Sequence, residues 1–254
     1  MRNDRQRYAP RNGLWALLLL VVSLTAGPAT AEDDSRLPYS TTSPGWLRAV
    51  GSLRVPGVKI RDGYRRHHQE DCSATLVASG SGGKADTIIT AWHCLEFYQD
   101  LSYPITFTLL KGSGEPLVME AQRLADGGGI EADWAVLRLE QAVPMALAPA
   151  LTVHPGRADA SRTIVMAGYS RDGGLGSEGE QLTYDPSCSI TYQGTKASDS
   201  NCIAYQGASG GAVVQLSGDG QPTLAGVISR GDSEGLSIFV PVKGFRSTLQ
   251  RFLR

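Results

Sequence analysis

The sequence predicts an all-β fold in two halves, finished by a short C-terminal helix. Three observations carry that reading. Short runs rich in β-branched and aromatic residues recur along the chain, each bounded by Gly, Pro or Asp. A proline-broken stretch at 141–156, "QAVPMALAPALTVHPG", divides them into two groups of similar size. At the very end the apolar period changes from that of a strand to that of a helix.

The first 31 residues stand apart. Arg2, Arg5, Arg7 and Arg11 make a basic start, Leu14 to Leu24 is almost wholly apolar, and Ala29-Thr30-Ala31 is a small-x-small end. This is the pattern of a signal peptide for the general secretory route, with an uncleaved anchor as the alternative. The expected mature chain carries 24 acidic and 20 basic side chains, because the leader holds four Arg and one Asp. That balance and the lack of any Lys/Arg stripe argue against nucleic acid. No second apolar segment is long enough for a membrane span. The expectation is an exported protein, periplasmic or extracellular, free of the membrane once the leader is removed, and monomeric.

Residues 32–45, "EDDSRLPYSTTSPG" after the leader, read as a polar, exposed arm. The first β half spans 46–142, with "LRAVGSLRV", "SATLVAS", "DTIITA", "YPITFTLL", "PLVMEAQRL" and "DWAVLRLE" as its strands. The linker is 143–156. The second half, 157–254, supplies "RTIVMAGYS", "QLTYDPSCSITYQ", "NCIAYQ", "GGAVVQL", "PTLAGVIS" and "LSIFVPV". In "VKGFRSTLQRFLR", Phe245, Leu249, Phe252 and Leu253 lie on one helical face, suited to packing on the body.

Four cysteines, Cys72, Cys94, Cys188 and Cys202, lie beyond the leader. An even number in an exported chain favours disulfides, and four allow three pairings. The local pairing, Cys72–Cys94 with Cys188–Cys202, closes two short loops and keeps each half self-contained. Zinc is the alternative, but no C-x-x-C or H-x-x-x-H spacing supports it. No metal and no cofactor is expected. His67-His68 read as a loop face and His154 as linker. "SRDGGLGSEGE", Ser170 to Glu180, lacks the dense carboxylates of a calcium loop and reads as a surface loop at a cleft.

Three stretches gather chemistry. "TAWHCLE" places His93, one of four histidines, between Trp92 and Cys94 at the end of a strand. "EADWAVLRLE" puts Asp133 at the mouth of another. "YQGASGGAVV" surrounds Ser209 with Gly207, Gly210 and Gly211. Such glycines free the backbone for close approach, and a turn of that kind can aim N–H groups at a developing oxyanion.

Together the three motifs, T-A-W-H-C, D-W-A-V-L and G-A-S-G-G, resemble those of the chymotrypsin/trypsin-like serine peptidases, T-A-A-H-C, D-I-A-L-L and G-D-S-G-G. The order His, Asp, Ser marks that fold among convergent triads. "GASGG" also fits the G-x-S-x-G of an α/β-hydrolase esterase, but that fold needs alternating helices and a different order. The resemblance covers about Leu47 to Arg254. It implies two packed six-stranded antiparallel β-barrels and a serine endopeptidase acting on polypeptides through an acyl-enzyme. His93, Asp133 and Ser209 would be the triad. The N–H groups of Gly207 and Ser209 would form the oxyanion hole. Cys94 would pair with Cys72, clamping the histidine loop, and Cys188 with Cys202. "ISRG", Ile228 to Gly231, resembles the substrate-pairing segment, so Ser229, Arg230 and Gly231 would contact substrate, with Ile203 and Ala204 at the pocket base.

The departures favour compact bacterial members, including relatives of the glutamyl endopeptidases. Ala208 stands where trypsin-like members have the aspartate that receives a new N-terminus after zymogen cleavage. "RAVGS", Arg48 to Ser52, therefore reads as an uncut first strand rather than an activation site. An apolar pocket base predicts a small or medium apolar residue before the cut. The rival class is a catalytically silent relative acting as a secreted binding module.

Overall fold

The computed structural model describes residues 34–80, 82–99, 103–112 and 115–253. The leader, 1–31, and the cleavage site expected after it lie outside them. Among the described residues no helix is long and apolar enough to cross a membrane.

A two-residue strand, β1 (Leu37–Pro38), belongs to the arm. Six consecutive strands then build the first half: β2 (Val50–Arg61), β3 (Tyr64–Ala78), β4 (Lys84–Thr90), β5 (Ile105–Leu109), β6 (Leu117–Asp126) and β7 (Ala135–Pro144). The ladders run β3–β2–β5–β6–β7–β4 and return from β4 to β3, every pair antiparallel. This is a closed barrel with no free edge. Alternation supplies its core: Ile105, Phe107 and Leu109 on β5, and Ala135, Leu137 and Leu139 on β7, all point inward.

The second half contains β9 (Ile164–Gly168), β10 (Thr183–Cys188), β11 (Ile190–Gln193), β12 (Ser198–Ser200), β13 (Ala212–Leu216), β14 (Pro222–Gly231) and β15 (Ser237–Pro241), after β8 (Leu151–Val153). Its antiparallel path is β10–β9–β13–β14–β15–β12–β11. Ser189 alone separates β10 from β11, so the path returns on itself through the chain. A second apolar cluster fills this half, with Ile164, Met166, Val213, Ile228 and Phe239 at its centre.

β8 lies inside the proline-broken stretch and pairs in parallel with β3 and with β14. It stitches the two halves together. The C-terminal helix is short, Arg246–Gln250. Phe245 and Leu249 are buried, and Phe252 and Leu253 pack on the core as their spacing predicts. Phe245 stacks on Trp134 at 4.8 Å, and Arg138 and Thr87 both donate to the Phe252 carbonyl, fastening the chain end to the first barrel.

Four expectations need correction. "LRAVGSLRV" is not wholly strand: Gly45–Ala49 form a 3₁₀ turn and β2 starts at Val50. His67 and His68 sit on β3, in a hairpin with polar side chains on both faces, not in a loop. "NCIAYQ" carries no ladder. Side chains take some of its backbone groups instead: Ser200 and Asp185 accept from the N–H of Cys202 and Ile203, and Ser237 donates to the Cys202 carbonyl. The described part of the arm is anchored rather than exposed throughout. Its Arg36 is only 3% exposed, and β1 pairs with β10.

Candidate active site

His93 follows β4, on the 3₁₀ turn Trp92–Leu95. Two contacts fix that turn. The Thr90 hydroxyl donates to the Ser73 carbonyl at 2.8 Å, and Cys94 is bridged to Cys72 on β3. The second bridge joins Cys188 to Cys202. The sulfurs of Cys72 and Cys94 lie close to a His93 ring nitrogen, a group that could ligate a metal only with the bridge reduced.

Asp133 precedes β7 and is fully buried. Its Oδ1 accepts from the His93 backbone N–H at 2.8 Å. Its Oδ2 lies 2.8 Å from His93 Nδ1 and accepts from the Ser229 hydroxyl at 2.5 Å. Burial by itself raises the Asp133 pKa, but the hydrogen bonds and charge of His93, with the Ser229 hydroxyl, outweigh it and hold the carboxyl below its ordinary value. The stability this lends is present above the ordinary carboxylate range and is lost as pH falls through the depressed value. An ionised Asp133 accepts only, so His93 Nδ1 carries a proton and Nε2 is the nitrogen left to act as acceptor in the neutral imidazole.

Ser209 lies between the halves, at the turn leading into β13. Gly207 has φ +94°, and a Cβ there would meet the Tyr169 carbonyl at 2.5 Å. Gly210 has φ +84°, and its Cβ would collide with Thr90 Oγ1 and the Ser73 carbonyl. Only glycine fits either position. The Ser209 hydroxyl donates to the Ser229 carbonyl at 3.1 Å, and among the described residues no hydrogen bond joins it to His93. None of the described residues accepts the N–H of Gly207 or of Ser209.

Ser73, on β3 and fully buried, crosses from the first half to this turn. Its N–H donates to the Ser209 carbonyl, its hydroxyl donates to the Gly207 carbonyl, and the Tyr169 N–H donates to that hydroxyl, each at 2.8 Å. Nothing local in "DCSATLVAS" marks this serine out. Its partners across the two halves lie 96 to 136 positions away.

The matched residues of a family profile now bear on this geometry. Residues 60–249 match that of the Trypsin family. The chain belongs to the trypsin family. It is therefore a serine peptidase by family, with the fold to match. A solved structure, described as a thermostable serine protease AL20 from an extremophilic microorganism, superimposes with a TM-score of 0.59 at 19% identity. The overlap covers 81% of this chain and 99% of that one, a likeness of fold. No curated protein matches the sequence.

Within this trypsin-family chain the residues singled out by sequence fall as follows. His93 and Asp133 are in contact, and Ser209 is tied to the same cluster through Ser229. Ser229 does more than border the pocket, since its hydroxyl holds Asp133. Ala204, Tyr205, Ile228, Ser229, Arg230 and Gly231 line a cavity of about 50 Å³ beside Ser209. Ile203 does not join them. Its N–H is held by Asp185 and its side chain lies behind the pocket, near Arg36. Ala208 is buried against Gly168, where a Cβ would meet the Ala208 Cα at 2.8 Å. Sequence reasoning missed the structural parts of Ser73 and Arg36, and of Asp172 in the Ser170–Glu180 loop. The Asp172 carboxylate is occupied by Arg36.

Proposed function

We propose that the protein is a secreted serine endopeptidase in which Ser209 is the nucleophile, His93 the general base and Asp133 the group that orients it. The observation that carries this is the fully buried Asp133 holding His93 Nδ1, with Ser209 next to the pair. Substrate polypeptide pairs as an added strand with Ser229–Gly231, whose outer edge makes no ladder, and its carbonyl comes to rest by Ser209. The Ser209 hydroxyl turns from the Ser229 carbonyl towards His93 Nε2, which takes its proton as Oγ bonds to the carbonyl carbon. The N–H groups of Gly207 and Ser209 hold the oxyanion. Collapse breaks the C–N bond, the leaving amine takes the proton from His93, and water repeats the sequence on the acyl-enzyme. Two disulfides suit export.

The second reading is the silent relative, a secreted binding module. The hydroxyl of Ser209 engaged on the Ser229 carbonyl, away from His93, favours it. Cleavage-site profiling on a peptide library, with Ser209→Ala as control, separates the two. A peptidase gives defined cleavages that the variant lacks, whereas a binding module gives none.

The small cavity predicts specificity. An apolar wall of Ala204 and Ile228 in about 50 Å³ suits a small apolar side chain before the cut. Among the described residues no carboxylate lines it, so a lysine or arginine there would be a desolvated, unpaired charge. The profile should favour such small residues, and strong Arg/Lys preference would contradict the pocket assignment.

Ser73→Ala should lower kcat on the order of tenfold, less than the ~10²–10³ lost with a direct oxyanion donor, because Ser73 acts through the Gly207 peptide. Unchanged kcat at full folding would separate Ser73 from the turn's function.

No zymogen cut is expected. Leu47, Ala49 and Val50 are buried in the first barrel, so a chain cut after Arg48 would expel an ammonium from the core. Active-site titration of protein beginning at Glu32 should give the same fraction active in wild type and Arg48→Gln. Activity only after a cut at Arg48 would refute this.

A further inference from the structure

Behind the pocket wall lies an arginine that the proposed reaction does not use. Arg36 belongs to the N-terminal arm, outside the residues matched to the family, and its side chain is 2% exposed. A buried cation needs fixed partners. Arg36 has two carboxylates. Nε and Nη2 engage Asp34 at 2.9 and 2.6 Å, and Nη1 and Nη2 engage Asp172 at 2.9 and 3.1 Å. Its guanidinium carbon stands 4.1 Å from the centre of the Tyr205 ring. Burial would tend to discharge it, but the hydrogen bonds it donates to both aspartates raise its pKa above that of ordinary arginine, so it remains a cation.

Two of these partners, Tyr205 and Asp172, lead to the site. Tyr205 lines the pocket, and its carbonyl accepts the Ala208 N–H at 3.0 Å, closing the turn that holds Gly207 and Ser209. Asp172 anchors the Ser170–Glu180 loop, and beside it the Arg171 N–H donates to the Gln206 carbonyl at 2.6 Å. The arm residue just before Arg36 acts on the same segment. Ser35 donates to Asp185 Oδ2 at 2.7 Å, and that oxygen also receives the Ile203 N–H at 2.9 Å. The arm thus grips the 203–206 segment from two sides. Ala208 offers no carboxylate for a new N-terminus.

We infer that Arg36 is a positioning residue for substrate selection: seated between Asp34, Asp172 and Tyr205, it sets the pocket wall and the Ser209 turn. This rests on the peptidase reading above. The arm does by an internal ion cluster what a newly cut N-terminus cannot do in this chain.

The test uses the disulfide-intact protein beginning at Glu32, with Arg36→Ala and, as a milder variant, Asp172→Asn. Both are assayed well below their melting temperatures, per active site titrated. A peptide anilide with alanine before the cut needs the pocket, whereas p-nitrophenyl acetate places no side chain there. Arg36→Ala should lose about 10²-fold in kcat/KM on the anilide, the scale of a misplacement of about 1 Å. The loss on the acetate should be smaller, and Asp172→Asn should show the same bias at lower amplitude. Millimolar methylguanidinium should restore anilide cleavage to Arg36→Ala by refilling the site between the carboxylates. Equal losses on both substrates without rescue, or no loss at all, would overturn the positioning role. Wild type inert on both substrates would overturn the peptidase reading, and this proposal with it.

Discussion

Ser209→Ala and His93→Ala should each cut kcat by about 10⁴- to 10⁶-fold, and Asp133→Asn by about 10⁴-fold, with the fold intact. The reasoning differs for each. In the proposed mechanism the Ser209 hydroxyl is the nucleophile, and the alanine variant has none. Without the imidazole, nothing takes its proton at neutral pH. In Asp133→Asn the side chain still fills its buried site, but the amide replaces a charged acceptor of three hydrogen bonds, from His93 N, His93 Nδ1 and the Ser229 hydroxyl. One amide nitrogen must then face a donor, and the preferred relief is the wrong imidazole tautomer, with the proton on Nε2. Because the three act as one unit, double variants should be hardly worse than the most severe single one. Steady-state kinetics with circular dichroism check this. Near-normal turnover in His93→Ala would dismantle the assignment.

Replacing Cys72 and Cys94 by serine should cost about 3 kcal/mol of stability, the chain-entropy value for a loop of this length. The bridge spans 22 positions and ties the middle of β3 to the 3₁₀ turn that carries His93. For a chain of this size that corresponds to a fall in Tm of roughly 6–12 °C. Activity should fall too, even well below the melting range, because the histidine turn loses its tether while Asp133 remains fixed on the other side. Differential scanning fluorimetry and assay at 25 °C measure both. A Tm within a degree of wild type would show that the bridge adds nothing to the barrel.

The chemistry-bearing motifs were legible because each needs a residue type and a local backbone in the same few positions. A histidine next to a cysteine at a strand end, and a serine between glycines, leave a short-range trace. The first-barrel strands were legible for a similar reason, since one buried face imposes alternation on β5 and β7. What failed lacked local contrast. On β3 the run from Arg65 to Glu70 is polar on both faces, so His67 and His68 show no strand period. "NCIAYQ" looked like a strand because it is apolar, yet side chains from Ser200, Asp185 and Ser237 take some of its backbone groups. Ser73, Ser229 and Arg36 act on partners about 100 positions away, 96 from Ser229 to Asp133 and 136 from Arg36 to Asp172. A buried serine in a strand and an arginine in a polar arm look ordinary until the fold brings those partners together.

The proposed chemistry stands on one activated hydroxyl. Full, oxidised protein should be treated with a fluorophosphonate probe at neutral pH, digested and mapped by mass spectrometry. The account predicts a single stoichiometric adduct on Ser209, absent in Ser209→Ala and strongly slowed in His93→Ala. Folded, disulfide-intact protein that takes up no probe, or takes it up at another residue, would contradict it.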